Sequence, residues 1–229
     1  MIEEKKWDSD FFNLKIGEVN LSDGEDYSNF TDYDLLYVVS DEDFDLKLDG
    51  FKNSFSEQKV KFHKNLSEIF QTNENVFSHS EIEYNIQNIY QLAFESGKQS
   101  RFLLDKNFGT EKFKELYRLW IDNSISKTFA DDVLLYKNNE EVVGLLTYKI
   151  TDDKATVGLI AVSNEQQGKG IGGILLKHLE TVLYQKKITS LIIPTQFENK
   201  QACNFYHKQG YSICDNTFIK HYWKINDTI

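Results

Sequence analysis

Two cysteines, Cys203 and Cys214, are all this chain has. They form no metal-binding pattern, and no metal is expected. Long apolar runs are lacking too. None approaches the ~18 residues of a membrane helix, and the opening Met1-Ile-Glu-Glu-Lys-Lys offers no apolar core for a secretion signal. The expected setting is therefore a reduced cytoplasm, with no membrane partner. Positive charge is in short supply: 26 Lys and Arg stand against 36 Asp and Glu, for a net charge of −10. A surface for nucleic acid is not expected, although a local pocket for one phosphate group remains compatible. Internal repeats and low-complexity tracts are missing as well. What remains is a chain of 229 residues, 40% hydrophobic and 14% aromatic, with ample material for a packed core in one large or two small domains.

The stretch Val157–Gly173 organises that material. Val157 to Val162 is apolar enough for a buried strand. A short polar turn follows, then Gly168, Gly170 and Gly172 in alternation. Beyond them Ile171, Leu175, Leu179, Val182 and Leu183 recur at helical spacing. The unit reads strand, glycine loop, helix. Glycines permit positive φ and leave room for an anion, and a helix start offers unpaired N–H groups and the positive end of its dipole. Three readings compete for this cradle: a dinucleotide fingerprint, an acyl-coenzyme A loop, and a structural turn. Gly168-Lys169-Gly170-Ile171-Gly172-Gly173 matches G-x-G-x-x-G, but that fingerprint wants an acid about 20 residues on, at the end of the next strand. The next strand, Ile188 onward, ends in Pro-Thr-Gln instead.

Around the cradle, residues 1 to about 72 read as a small α/β unit. It holds strands over Leu14–Leu21, Leu35–Val39 and Val60–Leu66, a helix over Phe44–Phe51 ending at Gly50, and Trp7, Phe11 and Phe12 as aromatic anchors. Polar Asn65–Asn75 is the expected linker, with a second domain over 73–229. There the periodicity predicts a helix over Ser80–Ser96 closed by Gly97. A loop carrying Arg101 and Phe102 follows, then a second helix capped by Thr110. Strands over Val133–Lys137, Val142–Ile150 and Ala155–Val162 form an antiparallel meander. After the glycine-loop helix come a strand over Ile188–Ile193, a helix over Lys200–Lys208, and strands near Tyr211–Ile213 and Phe218–Ile225.

Gln167-x-x-Gly170-x-Gly172 resembles the Q/R-x-x-G-x-G/A loop of the GNAT acyltransferases, and the element order from residue 73 onward resembles their fold. Asn199-x-x-Ala202-x-x-Phe205-Tyr206-x-x-x-Gly210-Tyr211 is similar to another segment of that family. The resemblance implies an α/β GNAT fold, a mixed twisted sheet flanked by helices, and an enzyme with acetyl-coenzyme A as co-substrate. Loop residues Gln167, Gly168, Lys169, Gly170, Ile171 and Gly172 would hold the pyrophosphate. Strand residues Ile160, Ala161 and Val162 would meet the pantetheine arm, and Asn199 would contact coenzyme A. Tyr206 would lie beside the acetyl sulfur as the catalytic residue. Gln99-Ser-Arg-Phe102, Phe113-x-x-Leu-Tyr117-x-x-Trp120 and Trp7-Asp-Ser-Asp-Phe11-Phe12 resemble dTDP-fucosamine acetyltransferases. That implies an amine acceptor on a nucleotide-linked amino-deoxysugar, met by Arg101 and Phe102, and is compatible with a homodimer. A protein or peptide N-acetyltransferase and a non-catalytic acyl-CoA-binding module are the alternatives.

The chemistry can be reasoned separately. Acetyl transfer needs a neutral amine, a polarised thioester and a leaving thiolate. A strand N–H can polarise the carbonyl. Tyrosine, at about 10, is a weaker acid than a thiol at roughly 8.5, so Tyr206 is expected to hydrogen-bond the sulfur as it gains charge. No base is evident. The strand before the loop carries Thr156 and no acid, Asp131 and Asp132 begin the meander, His178 sits well inside the helix, and the expected route for the proton is water.

Overall fold

The computed structural model describes residues 2–21 and 30–225. Its strands are β1 (Glu3–Glu4), β2 (Ile16–Asn20), β3 (Leu35–Ser40), β4 (Phe51–Asn65), β5 (Val76–Ser78), β6 (Asp132–Asn138), β7 (Glu141–Thr151), β8 (Lys154–Val162), β9 (Ser190–Gln196) and β10 (Ser212–Lys224). The helices are α1 (Lys6–Phe12), α2 (Ile86–Ser96), α3 (Arg101–Leu104), α4 (Thr110–Ile125), α5 (Ile171–Gln185) and α6 (Lys200–Lys208). All ten strands join one mixed sheet in the order β1-β2-β3-β10-β4-β9-β8-β7-β6-β5. The C-terminal β10 inserts between β3 and β4, and β4 in turn pairs with β9. Strands from both ends of the chain thus share one sheet.

Two apolar layers cover the sheet's faces. On one side α5 brings Leu175, Leu176, Leu179 and Leu183 onto Val60, Phe62, Leu146 and Leu191. On the other, α2 and α4 bring Ile89, Leu92, Leu116 and Ile121 onto Tyr37, Leu135, Leu145 and Leu159. A buried polar knot ties the first layer together. Tyr211 donates to Glu180 Oε1 at 2.6 Å, and Lys64 Nζ donates to Glu180 Oε2 at 2.8 Å. Burial and the Glu180 charge both push the Tyr211 hydroxyl well above its ordinary range.

Several local expectations need correction. Phe44–Phe51 forms no helix. Phe44, Leu46 and Leu48 alternate with a period of two and pack as an extended segment on one hydrophobic cluster. Gly50, at φ +78°, then turns the chain into β4, which begins far earlier than Val60. α2 starts at Ile86, where the Asn85 side chain caps Gln87 N at 2.9 Å. Gly97 ends α2 with φ −90°, so a left-handed turn is not its reason; a Cβ there would run into the Tyr117 ring. Arg101 and Phe102 lie in the short helix α3, capped by Ser100, and not in a loop. The cap of α4 is Gly109 at φ +80°, and Thr110 makes no capping bond. The β9 strand runs two residues later than expected at its start and three later at its end. One long strand, with a register shift between Ile213 and Asp215, replaces the two expected at the C-terminus.

Candidate active site

The site begins with a fault in the sheet. β8 and β9 pair in parallel only through Lys154/Ser190, Ala155/Leu191 and Thr156/Ile192. Beyond that point β9 stays with β4, and β8 stays with β7. Between the pairs Tyr148/Val157 and Leu146/Ile160, β8 spends one more residue than β7. This bulge centres on Gly158, where a Cβ would stand 2.8 Å from Thr147 Oγ1, and that hydroxyl accepts from Leu159 N at 2.9 Å. The alternation inverts across it. Ala155 and Val157 pack towards α5, whereas Leu159 and Ala161 pack towards α2 and α4. The two strands splay, and among the described residues β8 backbone groups from Val157 onward have no strand partner on that side.

A cleft of about 890 Å³ opens in the splay. Its walls include Val157–Val162 of β8 and Ile193–Gln196 of β9, and helices from both faces complete it. At one end lies the glycine loop. Gly168 and Gly170 have φ of +78° and +84°, and a Cβ added at either would meet nothing within 4 Å. Glycine is needed there for the backbone turn, and the space it leaves faces outward. The first helical bond of α5 runs from Ile174 N to Gly170 O at 3.0 Å. Among the described residues nothing accepts from the N–H groups of Ile171, Gly172 and Gly173, and Gly170 brings no side-chain cap. Free N–H groups, the dipole of a 15-residue helix and an unfilled concavity suit a phosphate oxygen. The residues present therefore fit a pyrophosphate group.

The expected site residues converge here, with two qualifications. Ile160, Ala161, Val162, Gln167, Gly168, Gly170, Ile171, Gly172, Asn199, Tyr206, Arg101 and Phe102 all line the cleft. Lys169 does not: its Nζ turns to Gln166 Oε1 at 2.9 Å. Gln167 uses its side chain to brace the loop, donating to Val162 O at 3.1 Å and accepting from Gln201 at 3.2 Å. Asn199 caps α6, its Oδ1 taking Ala202 N at 3.1 Å.

Tyr206 is 4% exposed, and its ring packs on Phe62 and Phe205 at centroid distances of 5.3 Å. It is both a core residue and a wall of the cleft. Among the described residues nothing accepts from its hydroxyl, and burial pushes that hydroxyl above its ordinary range.

On the cleft wall that α3 supplies, the Arg101 guanidinium lies 4.4 Å from the Tyr37 ring centroid and 4.9 Å from that of Phe102. Phe102 is 7% exposed and stacks on Phe12 at 5.6 Å, so most of its ring serves the core. Trp7 and Phe129, both exposed, meet edge-on at 6.2 Å on the rim.

Sequence reasoning missed Glu57. It lies on β4 opposite Ile219, lines the cleft and is 6% exposed. Burial raises its pKa, partly offset by the charges of Arg101 and Lys59. The residue sat between the expected Phe44–Phe51 helix and the expected Val60–Leu66 strand, in a stretch given no element, so the side it faces was not legible. The acids that were weighed serve elsewhere. Asp131 Oδ2 accepts from Ile150 N at 2.5 Å, and Asp132 Oδ1 accepts from Ser78 Oγ at 2.8 Å. Neither they nor His178 line the cleft. Among the described residues no cluster of His, Cys, Asp or Glu could hold a metal ion, and no helix is long and apolar enough to cross a membrane.

A sheet splayed by a bulge, with a glycine-capped helix start at the mouth of the opening, defines an acyltransferase of the GNAT class. The chain belongs to the acetyltransferase (GNAT) family, whose sequence profile matches residues 85–211. It is 27% identical over 135 residues to the spore coat polysaccharide biosynthesis protein SpsD of Bacillus subtilis, covering 59% of this chain and 46% of that protein. It is 29% identical over 76 residues to a streptothricin acetyltransferase from Escherichia coli, covering 33% of this chain and 44% of that one. The chain thus spans less than half the length of the curated relatives it matches. Among solved structures, a GNAT-family protein from Novosphingobium aromaticivorans aligns with a TM-score of 0.55 at 9% identity, over 84% of this chain and 75% of that one. At that identity the likeness concerns the fold.

Proposed function

We propose that this protein transfers the acetyl group of acetyl-coenzyme A to the amino group of a nucleotide-linked amino-deoxysugar. The observation that carries the reading is the continuity of the cleft. An anion cradle, a buried tyrosine hydroxyl and an unpaired arginine line one space, in a chain of the acetyltransferase family. The loop from Gly168 to Gly172 holds the pyrophosphate through its amides, and β8 offers its unpaired backbone to the pantetheine arm. A β8 N–H polarises the thioester carbonyl, a charge-assisted contact worth about 1.5–3 kcal/mol. Tyr206 strengthens its hydrogen bond as the sulfur gains charge. Because burial has made it a weaker acid, full proton transfer to the sulfur is not its role.

The acceptor class rests on Arg101, Trp7 and Phe129, which line the same cleft. Arg101 makes no ion pair among the described residues, and its planar fork suits a diphosphate. The exposed Trp7 and Phe129 give a base or sugar ring something to lie against. The Bacillus subtilis relative is a spore coat polysaccharide biosynthesis protein, which favours a sugar acceptor.

Incubating the protein with acetyl-coenzyme A and a panel of dTDP- and UDP-linked amino-deoxysugars, with detection by mass spectrometry, tests this. The expected result is acetylated nucleotide sugar with equimolar thiol release. Acetylation of peptides in preference to every nucleotide sugar would reject the acceptor class.

A further inference from the structure

We propose that Glu57 is the group that removes the proton from the acceptor's ammonium before acetyl transfer, an inference that rests on the acyltransferase reading of the cleft. Among the described residues three carboxylates line that cleft: Glu95 pairs with Lys98, and Asp8 of α1 acts electrostatically on the Tyr37 hydroxyl. Glu57 differs from both. It is 6% exposed, and its Oε2 is buried with no hydrogen-bond partner. A buried carboxylate oxygen left without a donor costs free energy unless something else supplies one. Nor does Glu57 form an ion pair with Lys59 or Arg101, although both lie close enough to act on it electrostatically. The other buried carboxylates, Asp105 and Glu180, are saturated with hydrogen bonds and lie outside the cleft. A carboxylate that lines a space which must admit an amine, and has an oxygen without a donor, is the pattern expected of a base awaiting its substrate.

The surrounding charges set how Glu57 titrates. Lys59 on its own strand, Arg101 of α3 and the Gln196 side chain of β9 favour its charged form. Glu198, after β9, opposes that charge, as does desolvation by burial. Desolvation is the largest effect, so Glu57 titrates above an ordinary glutamate and closer to working pH, which suits a base.

The step balances as follows. The ammonium nitrogen gives one proton to the Glu57 carboxylate and gains a free lone pair. A bond forms from nitrogen to the acetyl carbonyl carbon, the C–S bond breaks, and its electron pair goes to sulfur. The second proton shed by nitrogen ends on the sulfur, giving free thiol. The first passes from Glu57 to solvent, so one net proton is released per turnover.

The test compares wild type, Glu57→Gln and Glu57→Asp in acetyl transfer to dTDP- and UDP-linked amino-deoxysugars across pH, with acetyl-coenzyme A affinity measured by calorimetry. Glutamine keeps the shape and removes the basicity. Its kcat is expected to fall on the order of 10²-fold. The acid limb that Glu57 sets in wild type should be replaced by one at the amine's own pKa, so that the rate recovers only as pH rises past it. Acetyl-coenzyme A affinity should hold. Glu57→Asp should keep the acid limb at reduced rate. A Glu57→Gln protein with wild-type kcat overturns the inference, and so does one whose kcat falls while the acid limb stays where wild type has it. Failure of the functional reading looks different: wild type itself leaves every nucleotide sugar untouched. The same two variants, assayed on whichever peptide or polyamine wild type then acetylates, decide Glu57 by the same criteria.

Discussion

Nδ1 of His221, on β10, lies 2.7 Å from Oδ2 of Asp105, the residue that closes α3. Trp223 Nε1 and Ser54 Oγ donate to the same oxygen at 2.9 and 3.1 Å. The short helix that carries Arg101 is thus bolted to the sheet through one buried carboxylate. Burial works against that charge, but the hydrogen bonds from His221 and Trp223 win and hold Asp105 at about 2. Burial lowers His221 to about 4, overriding the pull of Asp105, so the imidazole is neutral and donates through Nδ1.

Stability should therefore fall with acid in two stages. The unfolded chain protonates His221 near pH 6.5 and the folded one only near 4, so its contribution is full above about 6.5 and is lost as pH falls towards 4. The difference, 6.5 less about 4 at about 1.36 kcal/mol per unit, sets a ceiling of about 3 kcal/mol. The part that Asp105 contributes goes between about 3.8 and 2. Melting curves from pH 7 to 5 should show a shallower slope for His221→Gln than for wild type. An unchanged slope would mean that His221 is not neutral in the folded state.

Gly170→Glu places a negative charge and a side chain in the cradle, at a φ of +84°. Nothing in the protein meets the new Cβ, so the fold should survive with a penalty of about 1 kcal/mol from the left-handed backbone. Coenzyme A affinity should fall by more than 10²-fold, the equivalent of about 3 kcal/mol. Calorimetry alongside circular dichroism reads both quantities. Undiminished affinity in a folded variant would remove the pyrophosphate from this loop.

Tyr206→Phe keeps the ring against Phe62 and Phe205 and deletes only the hydroxyl. The expected loss is on the order of 10²-fold in kcat, with both KM values held. Because burial raises this hydroxyl, wild type should show no tyrosine-linked loss of rate near pH 10. A drop in melting temperature with normal kcat would make Tyr206 purely structural.

Arg101→Ala should raise the acceptor KM by at least tenfold and leave the acetyl-coenzyme A KM near wild type. The reason is placement: Arg101 lines the cleft from α3, held against Tyr37, whereas the glycine loop lines it from the start of α5. Equal rises in both constants would show that the loss is one of packing.

Local chemistry was legible in the sequence. The strand–glycine loop–helix unit declared itself because positive φ and missing side chains are properties of single residues. Gly168 and Gly170 have no substitute that does both. The helical spacing on α4 and α5 was equally local. The meander from Val133 to Val162 could be read because its strands are neighbours joined by short turns.

The contents of the cleft were decided elsewhere. Whether Glu57 faces solvent, core or substrate depends on β4 finding β9 on one side and β10 on the other. Those strands lie more than a hundred residues away in sequence. The bulge at Gly158 depends on the Thr147 hydroxyl of the facing strand, and the position of Arg101 depends on His221 and Trp223 holding Asp105. Periodicity reports which side of an element is apolar and is silent on which element covers it. For that reason the anion cradle could be read along the chain, whereas the buried carboxylate and the splay that opens the site arise only when distant strands meet.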